Sequence, residues 1–207
     1  MRRPATSITR LSVVRSMRHR ATGPAALLAV IALGGCANEA TSTNGLAAPA
    51  PVRLTLKSSA IHGNKLPALY TCDGRNTWPP LSWGPVPSNV EEMALFALAP
   101  EETKKGVAAI KVEWGLGGIK ATVHALRAGE IPPGAFLMKG STGHAGYSIC
   151  PPRGITQRYS FGLFALPAGA RAGAEFPGPA LLRNLNEPTR GRAATAVGFL
   201  TVFYKRR

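Results

Sequence analysis

The chain carries three cysteines. Two of them, Cys72 and Cys150, sit in segments built alike. Tyr147 to Phe161 opens with an aromatic residue, turns on Cys150-Pro151-Pro152 and Gly154, and runs into a strand-like stretch from Tyr159 to Leu166. Cys72 to Trp83 holds a cysteine, an Asp73-Gly74 turn, a Pro79-Pro80 pair and then apolar residues. A polar turn fixed by Pro and Gly and leading into a buried strand is how a rigid scaffold presents a site. The two segments are therefore expected to face each other across one pocket. The chemistry they offer is recognition rather than reaction. A hydrolase needs an activated Ser or Cys, and the sequence has no Gly-x-Ser-x-Gly, Ser-x-x-Lys or His-Glu-x-x-His. Cys150 would be a nucleophile only as a free thiol. Neither cysteine has a Cys-x-x-Cys partner or an adjacent His, which argues against a metal site. No catalytic residue, metal or cofactor is expected.

The third cysteine belongs to a different device. Met17-Arg-His-Arg20 is a short basic region, and Ala25 to Leu33 is an apolar run of signal-peptide length, too short to span a bilayer. Leu33-Gly34-Gly35-Cys36 follows, small residues directly before a cysteine, and resembles the lipobox of bacterial lipoproteins. That resemblance implies lipidation at Cys36 after removal of a signal peptide at residues 1–35. The competing reading is an ordinary secretory signal that happens to contain a cysteine. Residues 1–16 add basic charge without an apolar core and fit a long basic leader or a start at Met17. A single acyl chain anchors only marginally, while two or more hold stably. The expected location is a membrane surface, the cell membrane or an outer membrane, outside the cytoplasm. In an exported chain, the remaining pair Cys72 and Cys150 reads as a disulfide. Closing so long a loop is worth roughly 4 to 5 kcal/mol in the chain-entropy description.

Charge narrows the partners. The formal net charge of +15 includes six arginines before Cys36 and falls to +9 without them. A basic exported chain favours anionic surfaces such as lipid headgroups or wall polymers, or is merely kept soluble by its charge. Nucleic acid is not expected, because no basic helix, finger or aromatic-basic repeat is present.

Residues 36–51 comprise the lipidated cysteine and an Ala/Thr/Asn/Pro-rich segment without bulky side chains, which reads as a tether. Residues 52–207 should then form one folded domain. Val52 to Lys57 alternates apolar and polar residues and predicts one half-buried strand. Glu92 to Pro100 predicts a buried strand and Val107 to Trp114 another, ending before Gly115-Leu116-Gly117-Gly118. The start of a Gly-x-Gly-x-x-Gly pattern there fails at Lys120. Thr122 to Leu126 predicts a short strand, and residues 127–146 a long loop. Tyr159 to Leu166 and Ala194 to Tyr204 predict strands, with one or two helical turns near Pro179. Short strands, Pro/Gly turns and little helix give a mainly β, antiparallel sandwich-like class.

The same residues resemble a family. Leu66-Pro67, Tyr70 to Trp83, Tyr147, Cys150 to Gly154 and Arg158 to Leu166 are similar, in order and spacing, to the signatures of the phosphatidylethanolamine-binding proteins, in their bacterial Raf-kinase-inhibitor-like branch. Phe203 to Arg206 resembles the family's last strand. The resemblance covers about residues 53–206. It implies a large central antiparallel sheet packed on a smaller one, a few short helices, and a small pocket for anions such as phosphate, acetate or a phospholipid headgroup. It also implies a ligand set of Asp73, Glu113, Tyr147, Cys150, Pro151, Gln157 and Arg158.

The sequence departs from the family pattern within that set. The family's Asp-Pro-Asp-Ala-Pro reads Ala99-Pro100-Glu101-Glu102-Thr103, its His-Trp reads Glu113-Trp114, and its His-Arg-Tyr reads Gln157-Arg158-Tyr159. Ser148-Ile149 replaces Gly-Pro before Cys150. A histidine can donate to an anion and become cationic, whereas Glu113 offers only acceptors and negative charge. The pocket is then degenerate, or it has switched to a neutral or cationic ligand with Glu113 as counter-ion, or it keeps phosphate through Arg158 and backbone N–H groups. The chain is expected to be a non-enzymatic, membrane-anchored binder of a small headgroup- or anion-type ligand at an altered pocket. The alternative is an interaction or inhibitor module of the cell envelope, whose protein partner the residues do not name. Trp83, Trp114, Tyr159 and Phe161 read equally as core, and Asp73 as a turn-capping carboxylate. His144 is the histidine nearest the expected mouth.

Overall fold

Strands dominate because short apolar and aromatic runs are bounded by Pro/Gly turns that leave little length for helices. The computed structural model describes residues 49–102, 108–173, 177–186 and 193–207. The proposed signal peptide, Cys36, Thr103 and most of the tether lie outside these residues. The strands are β1 (Val52–Leu54), β2 (Leu56–Lys57), β3 (Leu81–Trp83), β4 (Glu92–Glu102), β5 (Ala108–Lys120), β6 (Ala125–Leu126), β7 (Phe136–Met138), β8 (Thr156–Ala165) and β9 (Ala196–Lys205). One helix, α1 (Gly178–Asn186), and a short 3-10 turn at Ala68–Tyr70 complete the described elements.

Six strands form a large sheet in the order β1-β9-β8-β4-β5-β7, and three form a small one, β2-β3-β6. The large sheet is antiparallel except where β1 runs parallel to β9. The two faces of the large sheet have separate cores. The inner face, with Ala97, Trp114, Tyr159, Phe161, Leu163 and Val202, packs on Leu56, Leu81, Trp83 and Leu126 of the small sheet. The outer face, with Ala94, Phe96, Val112 and Phe164, is covered by Leu181, Leu182 and Leu185 of α1. Both faces of β4 are therefore buried, which explains its continuous apolar run.

Four local expectations change. The alternating run Val52 to Lys57 is two strands, because Val52–Leu54 pairs with β9 in the large sheet while Leu56–Lys57 pairs with β3 in the small one. Alternation sets which side a residue faces, but not which neighbour supplies the hydrogen bonds. The glycine run 115–118 continues β5 instead of ending it. A Cβ on Gly115 would come within 3.0 Å of Met138 Cε, and one on Gly118, at φ +72°, within 2.6 Å of the Gly134 carbonyl oxygen. These glycines let β7 and Phe136 lie close to the strand. Residues 127–146 contain β7, paired with β5 at Gly115 to Gly117. Finally, β8 starts at Thr156, so Gln157 and Arg158 lie within it and not in the preceding turn.

Candidate ligand site

The two cysteine segments are joined directly. Cys72 and Cys150 form a disulfide with Cα atoms 5.3 Å apart. The Cys72 N–H donates to the Ile149 carbonyl at 3.0 Å. The Tyr147 hydroxyl donates to the Tyr70 carbonyl at 3.0 Å. Side-chain and backbone bonds thus hold the segments edge to edge, and the carboxyl end of β9 closes a third side. The Gly154 N–H donates to the Arg206 carbonyl at 2.8 Å, and Arg153 Nη1 donates to the Arg207 carbonyl at 2.9 Å.

Asp73 is the charged centre of this junction. Its carboxylate accepts from the Tyr204 hydroxyl and, at 3.1 Å, from Arg206 Nε. The Tyr204 hydrogen bond holds the Asp73 carboxyl below its ordinary value against the opposing effect of burial, and the Arg206 hydrogen bond and charge add lesser shares. Tyr204 is shifted upward, mainly by burial and then by its bond to Asp73. Beside the pair is an open hollow of about 760 Å³ whose lining includes Lys65, Asp73, Phe203, Tyr204, Lys205 and Arg207. Asp73 is the member of the expected ligand set that lines it.

Glu113 stands in a second group, on the inner face of the large sheet. The pairing of β4 with β5 shifts register there: Ala97 faces Trp114 and Leu98 faces Val112, which leaves Glu113 as the extra residue of a β-bulge. Ser141 secures the bulge, donating its N–H to the Val112 carbonyl at 2.8 Å while its hydroxyl accepts the Val112 N–H at 2.9 Å. Lys111 Nζ lies 3.0 Å from Glu113 Oε2, and the Glu113 side chain is only 14% exposed. Ala99, where the family pattern has an acidic residue, lies directly opposite Lys111.

Aromatic rings form the floor of this second group. Trp78 stacks on Trp114 with centroids 4.7 Å apart and planes 25° from parallel. Tyr147 meets Trp114 edge-on at 5.7 Å. The indole N–H groups of Trp78 and Trp114 are buried and find no acceptor among the described residues. Burial raises the Tyr159 phenol well above its ordinary value, and the Glu113 charge adds to the effect. Tyr147 is likewise pushed up, by burial and then by Tyr159. Both phenols are therefore neutral donors over the physiological range.

The remaining expected residues divide by strand face. Gln157 is half-buried and lies opposite Tyr204 in the β8–β9 pairing, so it falls between the Asp73 pair and Tyr159. Arg158 is exposed opposite Phe203, on the other side of the sheet from Tyr159. Pro151 is buried and Cys150 is engaged in the disulfide. His144 is exposed, and its carbonyl accepts from the Gly140 N–H. Sequence reasoning did not single out Lys111, Trp78, Tyr204 or Arg206 for this site. Lys111 had a signal, since a cation two residues from Glu113 on a strand shares its side. Tyr204 and Arg206 had none, because their partner is 131 and 133 residues away. Among the described residues, no group of three His, Cys, Asp or Glu side chains comes together as a metal site would need.

A large strand layer over a small one, with a disulfide-braced junction and a polar pair beside aromatic rings, defines a two-sheet β domain. The chain matches the model of the phosphatidylethanolamine-binding protein family over residues 57–199, and it belongs to that family. It is 32% identical to the Mycobacterium tuberculosis protein named "Putative lipoprotein LppC" over 174 residues, 75% of this chain and 82% of that one. It is 34% identical to the UPF0098 protein of Methanothermobacter thermautotrophicus, over 55% of this chain and 76% of that one. Escherichia coli YbcL, described as a new member of the mammalian family, has the same fold: TM-score 0.62 at 24% identity, covering 74% of this chain and 99% of YbcL. The large central sheet, the smaller sheet and the sparse helix expected from the sequence are all present.

Proposed function

We propose that this is an exported, lipid-anchored binding protein without enzymatic activity, whose pocket takes a small zwitterionic ligand of the phosphoethanolamine kind. The observation that carries the reading is the Lys111–Glu113 pair at 3.0 Å, set in a bulge beside Ala99, Trp114 and Tyr159. An anion-only pocket would not keep a carboxylate there, since a like charge nearby opposes binding. A cation-only pocket would meet Lys111. A ligand bearing both charges can exchange the internal pair for two external ones, its phosphate toward Lys111 and its ammonium toward Glu113. Tyr159 and Gln157 add neutral donors, while the Tyr147 hydroxyl, bonded to the Tyr70 carbonyl, can only accept. The lipoprotein naming of a 32% identical relative and the Leu33-Gly34-Gly35-Cys36 sequence support the anchor. The absence of a recognisable nucleophile motif supports binding over catalysis.

The test is a thermal-shift panel on residues 36–207 with phosphoethanolamine, phosphate, acetate and choline, run beside the double variant Glu113→His, Gln157→His. A ligand at about 100 times its Kd stabilises by roughly 2.7 kcal/mol, well within detection. The wild type should respond to phosphoethanolamine above phosphate or choline alone, and the double variant should gain a phosphate response. Silence of both proteins toward every compound would overturn the pocket and favour the envelope interaction module.

A further inference from the structure

The outer face of the large sheet is only partly covered. The leucines of α1 close it over Ala94, Phe96, Val112 and Phe164, and among the described residues this outer core reaches no further along β9 than Val197. By alternation, Arg158, Ser160, Phe199, Thr201, Phe203 and Lys205 all point outward there. Phe199 is 47% exposed and Phe203 42%, unusual for phenylalanines at the middle and end of a paired strand. Phe199 lies across Gly162 and packs at right angles to Phe164, with its outer side left open. Cations surround the two rings. Arg158 faces Phe203 across the strand pair, Lys205 is two residues on, Lys65 bridges to Phe203 from the other side, and Arg53 of β1 is outward at the sheet edge. No carboxylate stands among the outward-facing residues of β8 and β9.

We infer that this face docks flat onto a bilayer containing anionic lipids, with Phe199 and Phe203 entering the headgroup region and Arg53, Lys65, Arg158 and Lys205 meeting lipid phosphates. Two observations select this occupant. The first is charge complementarity: exposed rings ringed by cations without carboxylates suit an anionic surface with an apolar interior, as in interfacial amphipathic elements. The second is where the chain enters. Fifteen residues lie between Cys36 and Val52, a reach of at most about 55 Å, and Val52 opens β1, the strand that borders this face. An anchor at Cys36 therefore keeps this face within reach of the bilayer. The inference rests on the anchoring reading above, yet concerns a surface distinct from the Lys111–Glu113 pocket, since Arg158 and Phe203 lie on the opposite side of the sheet from Tyr159 and Trp114.

The experiment uses residues 36–207 with Cys36→Ala, so that no acyl chain contributes, in co-flotation with phosphatidylcholine vesicles with and without phosphatidylglycerol. Binding should need phosphatidylglycerol and weaken with salt. Each basic residue at an anionic surface contributes about a five-fold change in partition, so Arg158→Ser with Lys205→Ser should lower binding roughly twenty-fold or more. Phe199→Ser with Phe203→Ser should lower it about ten-fold while leaving the net charge unchanged. The pair Lys120→Ser and Arg127→Ser removes equal charge elsewhere and should change binding by less than about two-fold. Melting curves of each variant confirm that it is folded. Equal binding to both vesicle types, or equal loss from the two basic pairs, overturns the inference. So does a dimer that the phenylalanine variants dissociate, which would assign the face to a second copy. Mass spectrometry of Cys36 in envelope protein tests the anchor separately: an acylated chain whose Cys36→Ala form ignores vesicles keeps the anchor and loses the docking face.

Discussion

Tyr204 donates its hydroxyl to Asp73 across 131 residues of sequence, fastening the end of the last strand to the first cysteine turn. Arg206 Nε reaches the other carboxylate oxygen at 3.1 Å. The first cysteine turn is therefore held to the last strand by a charge and to the second cysteine segment by a covalent bond.

That charge gives the domain an acid-sensitive clasp. The folded-state pKa of Asp73 is depressed, so its contribution to stability is present above the ordinary carboxylate pKa and is lost as pH falls through the lower, folded value. Asp73→Asn should melt below the wild type at neutral pH. The gap should narrow steadily from about pH 4 downward. Melting temperatures of both proteins across that range check the sign. A gap that widens in acid would show that Asp73 does not act through its charge.

The disulfide should dominate the thermodynamics of the same junction. Cys72 and Cys150 are 78 residues apart, and a loop of that size is worth about 4 to 5 kcal/mol in the chain-entropy description. Replacing both by alanine should lower unfolding free energy by about that amount in urea titrations. In non-reduced exported protein, alkylation followed by mass spectrometry should find neither thiol modified. Two alkylated thiols would remove the bridge.

A buried carboxylate braces the far end of the large sheet. Glu92 is 8% exposed, and its Oε1 accepts from the Gly118 N–H at 3.1 Å and the Ala172 N–H at 2.8 Å. Glu92→Ala strands both donors and should cost about 3 to 5 kcal/mol. Glu92→Gln keeps one carbonyl oxygen for both bonds and loses only the charge, so it should cost about 1 to 2 kcal/mol. Equal losses for the two variants would show that the charge, and not the shared oxygen, is what matters.

The legible part of this protein was local or compositional. The long buried run of β4 and the aromatic run of β8 announce themselves, because burial on both faces demands continuous apolar sequence. The matching turns at Cys72 and Cys150 were visible as a pair, and their pairing follows from oxidation state and count. The glycines of β5 were read as a terminus because a glycine's local preference is to break a strand. Their role as clearance for Phe136 and Met138 exists only once β7 is in place.

The candidate site shows the same division. Sequence alone settled that Ala99, Glu113 and Gln157 differ from the family pattern. It also placed Tyr147, Cys150 and Tyr159 in one segment, since spacing along a chain is fixed by covalent geometry. Tertiary structure decided the rest. It gave Glu113 a cation, separated Arg158 from Tyr159, and turned Asp73 toward Tyr204 and Arg206. Register and bulges set those outcomes. A one-residue shift in strand pairing exchanges the faces of a sheet, and what fixes the register is packing between segments, from the neighbouring strands β4 and β5 to Asp73 and Tyr204, far apart in the sequence.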